Sequence, residues 1–290
     1  MFNDLQFIQK AVDSLLSQTF TDFELIMSDD CSTDGSAGIC LAYAAKDSRV
    51  RYIRQAQNLG ISKNMKFLLN QATGAYFMWA ANDDIWHPVF LETLVRGLDD
   101  DPAAIMAFSP MCFINEEDAV IRDVPARSTD YSGKTPFERL RKLVDIFDDG
   151  CGYGLFRREM ILGVEFPVWW WINRRCAYNN IYPSLCYYLT KGDYVLRGEE
   201  PLWFNRLKEE VNINHKIPYG GTYLRGTFAF AVRKFNLFWV SWRQIRRAGG
   251  NSGLLVKIFP DLFYKWFVKP SMVNFILQFR QLRKGNLKFL

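Results

Sequence analysis

The order of apolar segments predicts an α/β protein: a mostly parallel sheet with helices on both faces, followed by a helical C-terminal appendage. Three observations carry that prediction. Over the first 110 positions, short β-branched and aromatic runs alternate with amphipathic stretches. Helices of about 10 to 15 residues between strands indicate parallel crossovers. Acidic pairs, Asp29/Asp30 and Asp83/Asp84, stand directly after two of the apolar runs. Beyond residue 215 the composition turns basic and aromatic.

Leu5, Ile8, Val12, Leu15 and Leu16 repeat at helical spacing. Phe23 to Met27 is a buried strand that ends at Ser28-Asp29-Asp30, and a helix follows over 35–46, with Asp34 placed to cap it. Val50 to Arg54 is a strand, 62–72 a helix, and Ala75 to Trp79 the strand that leads to Asp83 and Asp84. Pro88 opens a helix running to Leu98, and Ala104 to Phe108 is a further strand. Residues 112–124 form a hairpin turning at Asn115 to Asp118, and 135–147 a helix. In the stretch Gly150 to Gly154, Gly152 and Gly154 either make a turn or let backbone approach a ligand. These segments divide the chain into a body, 1–215, with halves 1–110 and 111–215, and a tail, 216–290.

The net charge of +5 conceals an asymmetry: the tail carries +13 and the body −8. Such a tail binds nucleic acid or an anionic membrane surface. Leu224, Phe228, Ala231, Phe235, Phe238, Trp242 and Ile245 form one apolar helical stripe bordered by arginines. Charges interrupt each apolar run short of the roughly 18 residues a spanning helix needs. The stripe therefore either lies in a membrane interface or packs on the body. The six cysteines are scattered with no Cys-x-x-Cys pair, which fits reduced thiols in a cytosolic setting.

Ligands of open α/β sheets bind beyond the carboxyl ends of the strands, where both acidic pairs fall. Adjacent carboxylates repel unless a cation joins them. A divalent ion bridging to an anionic substrate would turn that repulsion into a binding site; a helix cap in a solvated loop is the plainer alternative.

Residues 14–26 (Ser-Leu-Leu-Ser-Gln-Thr-Phe-Thr-Asp-Phe-Glu-Leu-Ile), 28–36 (Ser-Asp-Asp-Cys-Ser-Thr-Asp-Gly-Ser), Asn58-Leu59-Gly60, Gly74-Ala75-Tyr76-Phe77 and Asn82-Asp83-Asp84 with Pro88 stand in a specific order. In that order the chain resembles the family-2 glycosyltransferases of GT-A fold over about residues 2 to 210. The resemblance implies a nucleotide-binding half, 1–110, and an acceptor half, 111–215. It implies a nucleotide-diphospho-sugar donor and a saccharide or lipid-linked acceptor, with Mn²⁺ or Mg²⁺ as cofactor. It assigns Asp29, Asp30 and Asp83 to the nucleotide and Asp84 to the metal, with His215 as a second metal ligand. Arg206 and Lys208 are candidates to meet the diphosphate.

Two departures accompany the resemblance. The family's first strand, which lies centrally in the sheet, is absent, and neighbouring backbone groups are left without partners. This chain alone is therefore expected to be poorly stable. The family's acceptor-activating acid falls in Ala177 to Ile181, where this sequence has Asn179 and Asn180. An amide cannot take that proton, so Asn180 and Asp149 are only weak catalytic candidates; Asp145, Asp148, Glu199 and Glu200 are further ones. The expectation is a metal-dependent inverting glycosyltransferase of surface-polysaccharide synthesis, at the cytoplasmic face of the plasma membrane. A degenerate homologue that binds without turnover is the first rival, and a nucleic-acid-binding protein the second; nucleic acid is not the expected partner.

Overall fold

In the computed structural model, residues 1–124, 130–146, 150–166, 169–171, 174–176, 181–208 and 238–264 are described. The N-terminal half alternates as the sequence predicts: α1 (Ile8–Leu16), β1 (Leu25–Asp29), α2 (Ser36–Lys46), β2 (Val50–Arg54), α3 (Ile61–Gln71), β3 (Tyr76–Phe77), β4 (Ile85–Trp86), α4 (Phe90–Asp100) and β5 (Ala104–Phe108). The hairpin forms as β6 (Met111–Ile114) and β7 (Val120–Val124), and α5 (Pro136–Ile146) follows. Then come β8 (Leu155–Arg157), α6 (Arg158–Ile161), β9 (Trp169–Trp171), β10 (Arg174–Cys176), α7 (Ile181–Lys191), β11 (Asp193–Leu196) and β12 (Trp203–Arg206). The appendage supplies a helix over 238–247, α8, and α9 (Ser252–Phe263).

The α/β class holds, but strand direction differs from the mostly parallel expectation. β1–β2, β5–β11 and β6–β12 are parallel pairs. β8 inserts antiparallel between β3 and β5, giving the order β11-β5-β8-β3, while β12 lies between β4 and β6 in the order β4-β12-β6-β7. Gly154 makes the β8 insertion possible: a Cβ there would stand 2.4 Å from the carbonyl oxygen of Ala107 on β5. That glycine serves a close approach of two strands, not of a ligand.

The abundant aromatic side chains fill the core. Trp79 is ringed by Phe77, Phe156, Phe166 and Tyr188 at centroid distances of 4.6 to 6.2 Å, mostly edge to face. Trp203 packs on Phe108 and Tyr153. A smaller cluster of Ile8, Val12, Met27, Cys40 and Val50 joins α1 and α2 to β1 and β2.

Among the described residues β1 pairs only with β2, and β3 only with β8. Between them lies a cavity of about 660 Å³, lined by Leu25 to Ser28 on one side, Tyr76 to Asn82 on the other, and Ile8, Val12, Leu15 and Leu68 from the helices. Met1 stands at the mouth of this slot. Its amino group donates to the Ser28 carbonyl at 2.7 Å, and its carbonyl accepts from the Asp30 N–H at 2.9 Å. Those are the two bonds a parallel neighbour of Asp29 makes.

Part of the apolar stripe of the tail falls within the described residues. Phe238 and Ile245 of the stripe are buried, and Phe238 and Trp242 pack edge to face on Phe259 of α9. The buried side of the described stripe thus packs within the protein. Gly249, at φ +89°, turns the chain between the two helices. The side chain of Asn251 caps α9 by accepting from Leu254 N–H at 2.8 Å. No helix among the described residues is long and apolar enough to cross a membrane. Leu224 to Phe235 lie outside the described residues.

Candidate functional site

The loops after β1 and β3 meet at the carboxyl ends of their strands, clasped by residues 3–5. Asn3 N–H donates to Ser32 Oγ at 3.1 Å, and Thr33 N–H returns a bond to Asn3 Oδ1 at 2.8 Å. Leu5 N–H donates to Asp34 Oδ2 at 2.9 Å. Asp34 also accepts from Ser36 N–H at 3.0 Å, a local turn bond, while the N-cap of α2 is Gly35 rather than the expected Asp34. Asn3 and Cys31 both adopt left-handed backbone, at φ +49° and +72°. Such conformations in non-glycine residues persist where the surroundings over-determine them, and they concentrate at ligand sites.

Asp29 is fully buried and accepts from Ser32 N–H at 2.8 Å and Tyr52 Oη at 2.7 Å, with Arg54 at 3.5 Å. Burial opposes its ionisation, but the Ser32 and Tyr52 bonds and the Arg54 charge together hold its carboxyl below the usual range. Asp30 accepts from Leu59 N–H at 2.6 Å and Gly60 N–H at 2.9 Å, so it fastens the segment entering α3. Gly60 holds φ +78°, which glycine adopts without strain.

The adjacent acids Asp83 and Asp84 have opposite environments. Asp84 is 1% exposed, and both its oxygens are engaged: Trp203 Nε1 donates at 2.9 Å, Arg206 N–H at 2.9 Å, and Asn205 Nδ2 at 3.1 and 3.2 Å. Burial and the neighbouring Asp83 charge push its carboxyl up to about 7, against the pull of those donors. Asp84 pins β4 to β12 with both oxygens engaged, whereas the resemblance assigned it to the metal. Asp83 keeps a partly exposed side chain and meets Lys208 Nζ at 2.9 Å. The same ammonium lies 2.9 and 2.8 Å from the two oxygens of Asp4, which also accepts from Asn82. Two carboxylates from distant parts of the chain therefore converge on one cationic atom.

Arg206 has no reach toward a diphosphate. Its guanidinium is buried, donating to the Asp83 carbonyl at 2.7 Å, the Asn115 carbonyl at 2.6 Å and the Asp118 carboxylate at 2.5 Å. His215, Asn180, Asp149 and Asp148 lie outside the described residues. Asp145, Glu199 and Glu200 are exposed side chains. Asp4 is the site residue that the sequence did not single out; its only signal was its place beside Phe2-Asn3.

The sequence model of the family described as "Glycosyl transferase family 2" matches residues 1–163, more than half of the chain, including every residue of this site except β12 and Lys208. The chain belongs to glycosyl transferase family 2. Within the family it is 30% identical over 106 residues to GlyG of Streptococcus pneumoniae, a match of 37% of this chain and 35% of that protein. It is 39% identical over 106 residues to EpsJ of Bacillus subtilis, 37% of this chain and 30% of that one. An uncharacterized Mycobacterium tuberculosis protein is 34% identical over 131 residues, 44% of this chain and 38% of that one. The matched segments thus span less than two fifths of these relatives. In fold, this family-2 chain resembles residues 1–349 of S. aureus TarS in complex with UDP-GlcNAc, with a TM-score of 0.68 and 16% identity over 91% of this chain and 70% of that one. A second structure of S. aureus TarS 1–349 aligns at a TM-score of 0.60 and 15% identity, covering 98% of this chain and 90% of that one.

A divalent cation fits this site on its donor chemistry. The convergence of Asp4 and Asp83 on a single cationic atom marks a cation-binding point. Among the described residues no group of three His, Cys, Asp or Glu side chains is arranged to hold a metal ion. Mg²⁺ and Mn²⁺ sites of nucleotide enzymes commonly use one or two carboxylates and take the remaining ligands from phosphate and water.

Proposed function

We propose that this chain transfers a sugar from a nucleoside-diphosphate donor to an acceptor hydroxyl, the donor lying between the β1 and β3 loops. The observation that carries the reading is Asp83, held at a strand end by the Arg206 guanidinium on its carbonyl, with its carboxylate and that of Asp4 turned to one point. Family membership and the likeness in fold to TarS, whose 1–349 segment is solved with UDP-GlcNAc, support a UDP-linked donor; a dTDP- or GDP-linked sugar is equally compatible with the shared residues.

In this reading Asp83, with Asp4, holds Mn²⁺ or Mg²⁺, replacing the expected role of Asp84. When bound, the ion supplies charge neutralisation to the departing diphosphate. Asp29, whose two oxygens are taken by Ser32 N–H and Tyr52 Oη, orders the loop at the base end through those partners. Asp30 and Gly60 shape the loop beside it. The acceptor oxygen forms a bond to the anomeric carbon as the carbon–oxygen bond to diphosphate breaks in line, its proton passing to solvent and the diphosphate departing, which inverts the configuration. Release of nucleoside diphosphate from UDP-, dTDP- and GDP-linked sugars tests the reading; it is expected in the presence of Mn²⁺ and lost in Asp83→Ala.

We also propose that the outer face of α8 and α9 rests on an anionic membrane, where a lipid-linked saccharide would be met. Trp239, Val256 and Tyr264 are exposed on them, with Arg243, Arg246 and Lys257 exposed on the same two helices. Aromatic and basic side chains together suit the headgroup boundary. Co-sedimentation with vesicles containing phosphatidylserine is expected to fall at least threefold in Trp239→Ser/Val256→Ser. Equal sedimentation of the two proteins would remove this part of the proposal.

A further inference from the structure

Lys208 occupies the point where Asp4 and Asp83 converge, and a divalent ion cannot share that point with an ammonium group. We infer that Lys208 is a resident counter-cation of the donor site: it holds Asp4 and Asp83 together in the free protein and is displaced by a divalent cation only when a nucleoside diphosphate arrives with it. The inference deepens the proposed function and rests on Asp83 as a ligand of that cation.

The contrast between Lys208 and Arg206 supports this role. Positions two apart on an extended chain share a face, and both cations lie over the ring of Phe7, at 4.5 Å for Arg206 Cζ and 5.0 Å for Lys208 Nζ. Arg206 is fixed, with a fully buried side chain and three acceptors around its guanidinium. Lys208 is about a quarter exposed and makes its bonds through one flexible stem. It can leave its carboxylates without unburying a charge, whereas Arg206 cannot.

Charge decides the order of events. Asp4, Asp83 and Lys208 together carry one net negative charge. A diphosphate alone is repelled by that site, and a divalent cation alone must evict an ammonium that both carboxylates already bind. Cation and diphosphate arriving together supply new partners for every group: the carboxylates take the metal, and the Lys208 ammonium takes phosphate oxygens. Metal and nucleotide should therefore enhance each other's binding by the same factor.

The test is Mn²⁺ binding to the full chain, read from the loss of the free-ion electron paramagnetic resonance signal, with UDP as the nucleotide probe. Wild type is expected to bind Mn²⁺ at least tenfold more tightly with UDP than without. Lys208→Met and Lys208→Gln, checked for an unchanged melting transition, are expected to bind Mn²⁺ without UDP at least tenfold more tightly than wild type and to lose most of the coupling. A lysine with only a structural part in the fold would leave the Mn²⁺ affinity of the UDP-free protein unmoved. Wild type binding Mn²⁺ alone as tightly as the two variants overturns the inference. Absence of Mn²⁺ binding in all three proteins, with UDP present, overturns the metal reading of Asp83 and this inference with it.

Discussion

Fusing a five-residue apolar strand, Val-Ile-Val-Ile-Val, to the amino group of Met1 is expected to raise the melting temperature by about 6–12 °C. The slot between β1 and β3 is the reason. The Leu25 N–H and the Asp29 carbonyl bond the β2 side, to Arg49 and Gln55, so the backbone groups of Ile26 and Ser28 point the other way, into the slot. Of these, the Ser28 carbonyl meets the Met1 amino group. A strand continuing back from Met1 would extend a ladder whose last rung is already in place. Five residues at about 3.3 Å each would run along the whole of β1. Such a strand would meet Ile8, Val12, Leu15 and Leu68 in the slot, which is why an unbroken apolar run is the suitable choice. Burial and new backbone bonds must exceed the cost of ordering five residues, so the net gain is only about 3 kcal/mol. For a chain of this size that corresponds to the shift stated. Hydrogen exchange at Ile26 and Ser28 should slow in the fused protein. A control strand with proline at its second and fourth positions lacks the needed N–H donors and should leave both observables unchanged. Equal melting of fusion and control would mean that the slot does not accept a strand.

The second large effect separates the two adjacent acids. Asp84→Ala is expected to lower stability by about 3 kcal/mol, because Trp203 Nε1, Asn205 Nδ2 and the Arg206 N–H lose their acceptor in a site closed to water. Asp83→Ala removes a partly exposed ion pair with Lys208, a change of about 0–1 kcal/mol. Urea denaturation of both variants measures the difference. If Asp83→Ala proves the more destabilising, Asp83 is a structural acid and the assignment of roles fails. Loss of donor binding should follow the opposite order, complete in Asp83→Ala even though the protein remains folded.

That division of labour was partly legible in the sequence. Side chains alternate faces along a strand, so Asp84 shares a face with Trp86 and Asp83 with Ile85. Trp86 is 1% exposed and packs inward, and its parity places Asp84 in the core. The resemblance assigned the metal to Asp84 and overrode this period-two signal. What no local pattern contained is the pairing of β4 with β12, which brings Trp203, Asn205 and Arg206 to Asp84 from 119 to 122 positions away.

The rest of the fold divides along the same line. β2 and β5 were expected at Val50 to Arg54 and Ala104 to Phe108 and are found there, because each is a short apolar run between turn signals. The Asn115 turn was legible for the same reason: its side chain accepts from Glu117 and Ala119 N–H within the loop. β3 was expected over 75–79, but only Tyr76 and Phe77 find a partner, since β8 is three residues long. The antiparallel insertion of β8 depends on a glycine whose neighbour in space, Ala107, is remote in sequence. Asp4 and Lys208 meet across 204 positions, and each alone reads as an ordinary surface charge.

Nucleoside diphosphate release decides whether the β1 and β3 loops bind a nucleoside-diphosphate sugar around Asp83 and whether this chain cleaves it at the anomeric carbon. The measurement uses UDP-, dTDP- and GDP-linked sugars with Mn²⁺ and with excess chelator, on wild type and on Asp83→Ala. The prediction is metal-dependent release from at least one donor by wild type, reduced at least 100-fold in Asp83→Ala at unchanged melting temperature. Release that is equal in the two proteins, or a folded wild type that neither binds nor cleaves any of the three donor classes, would contradict it.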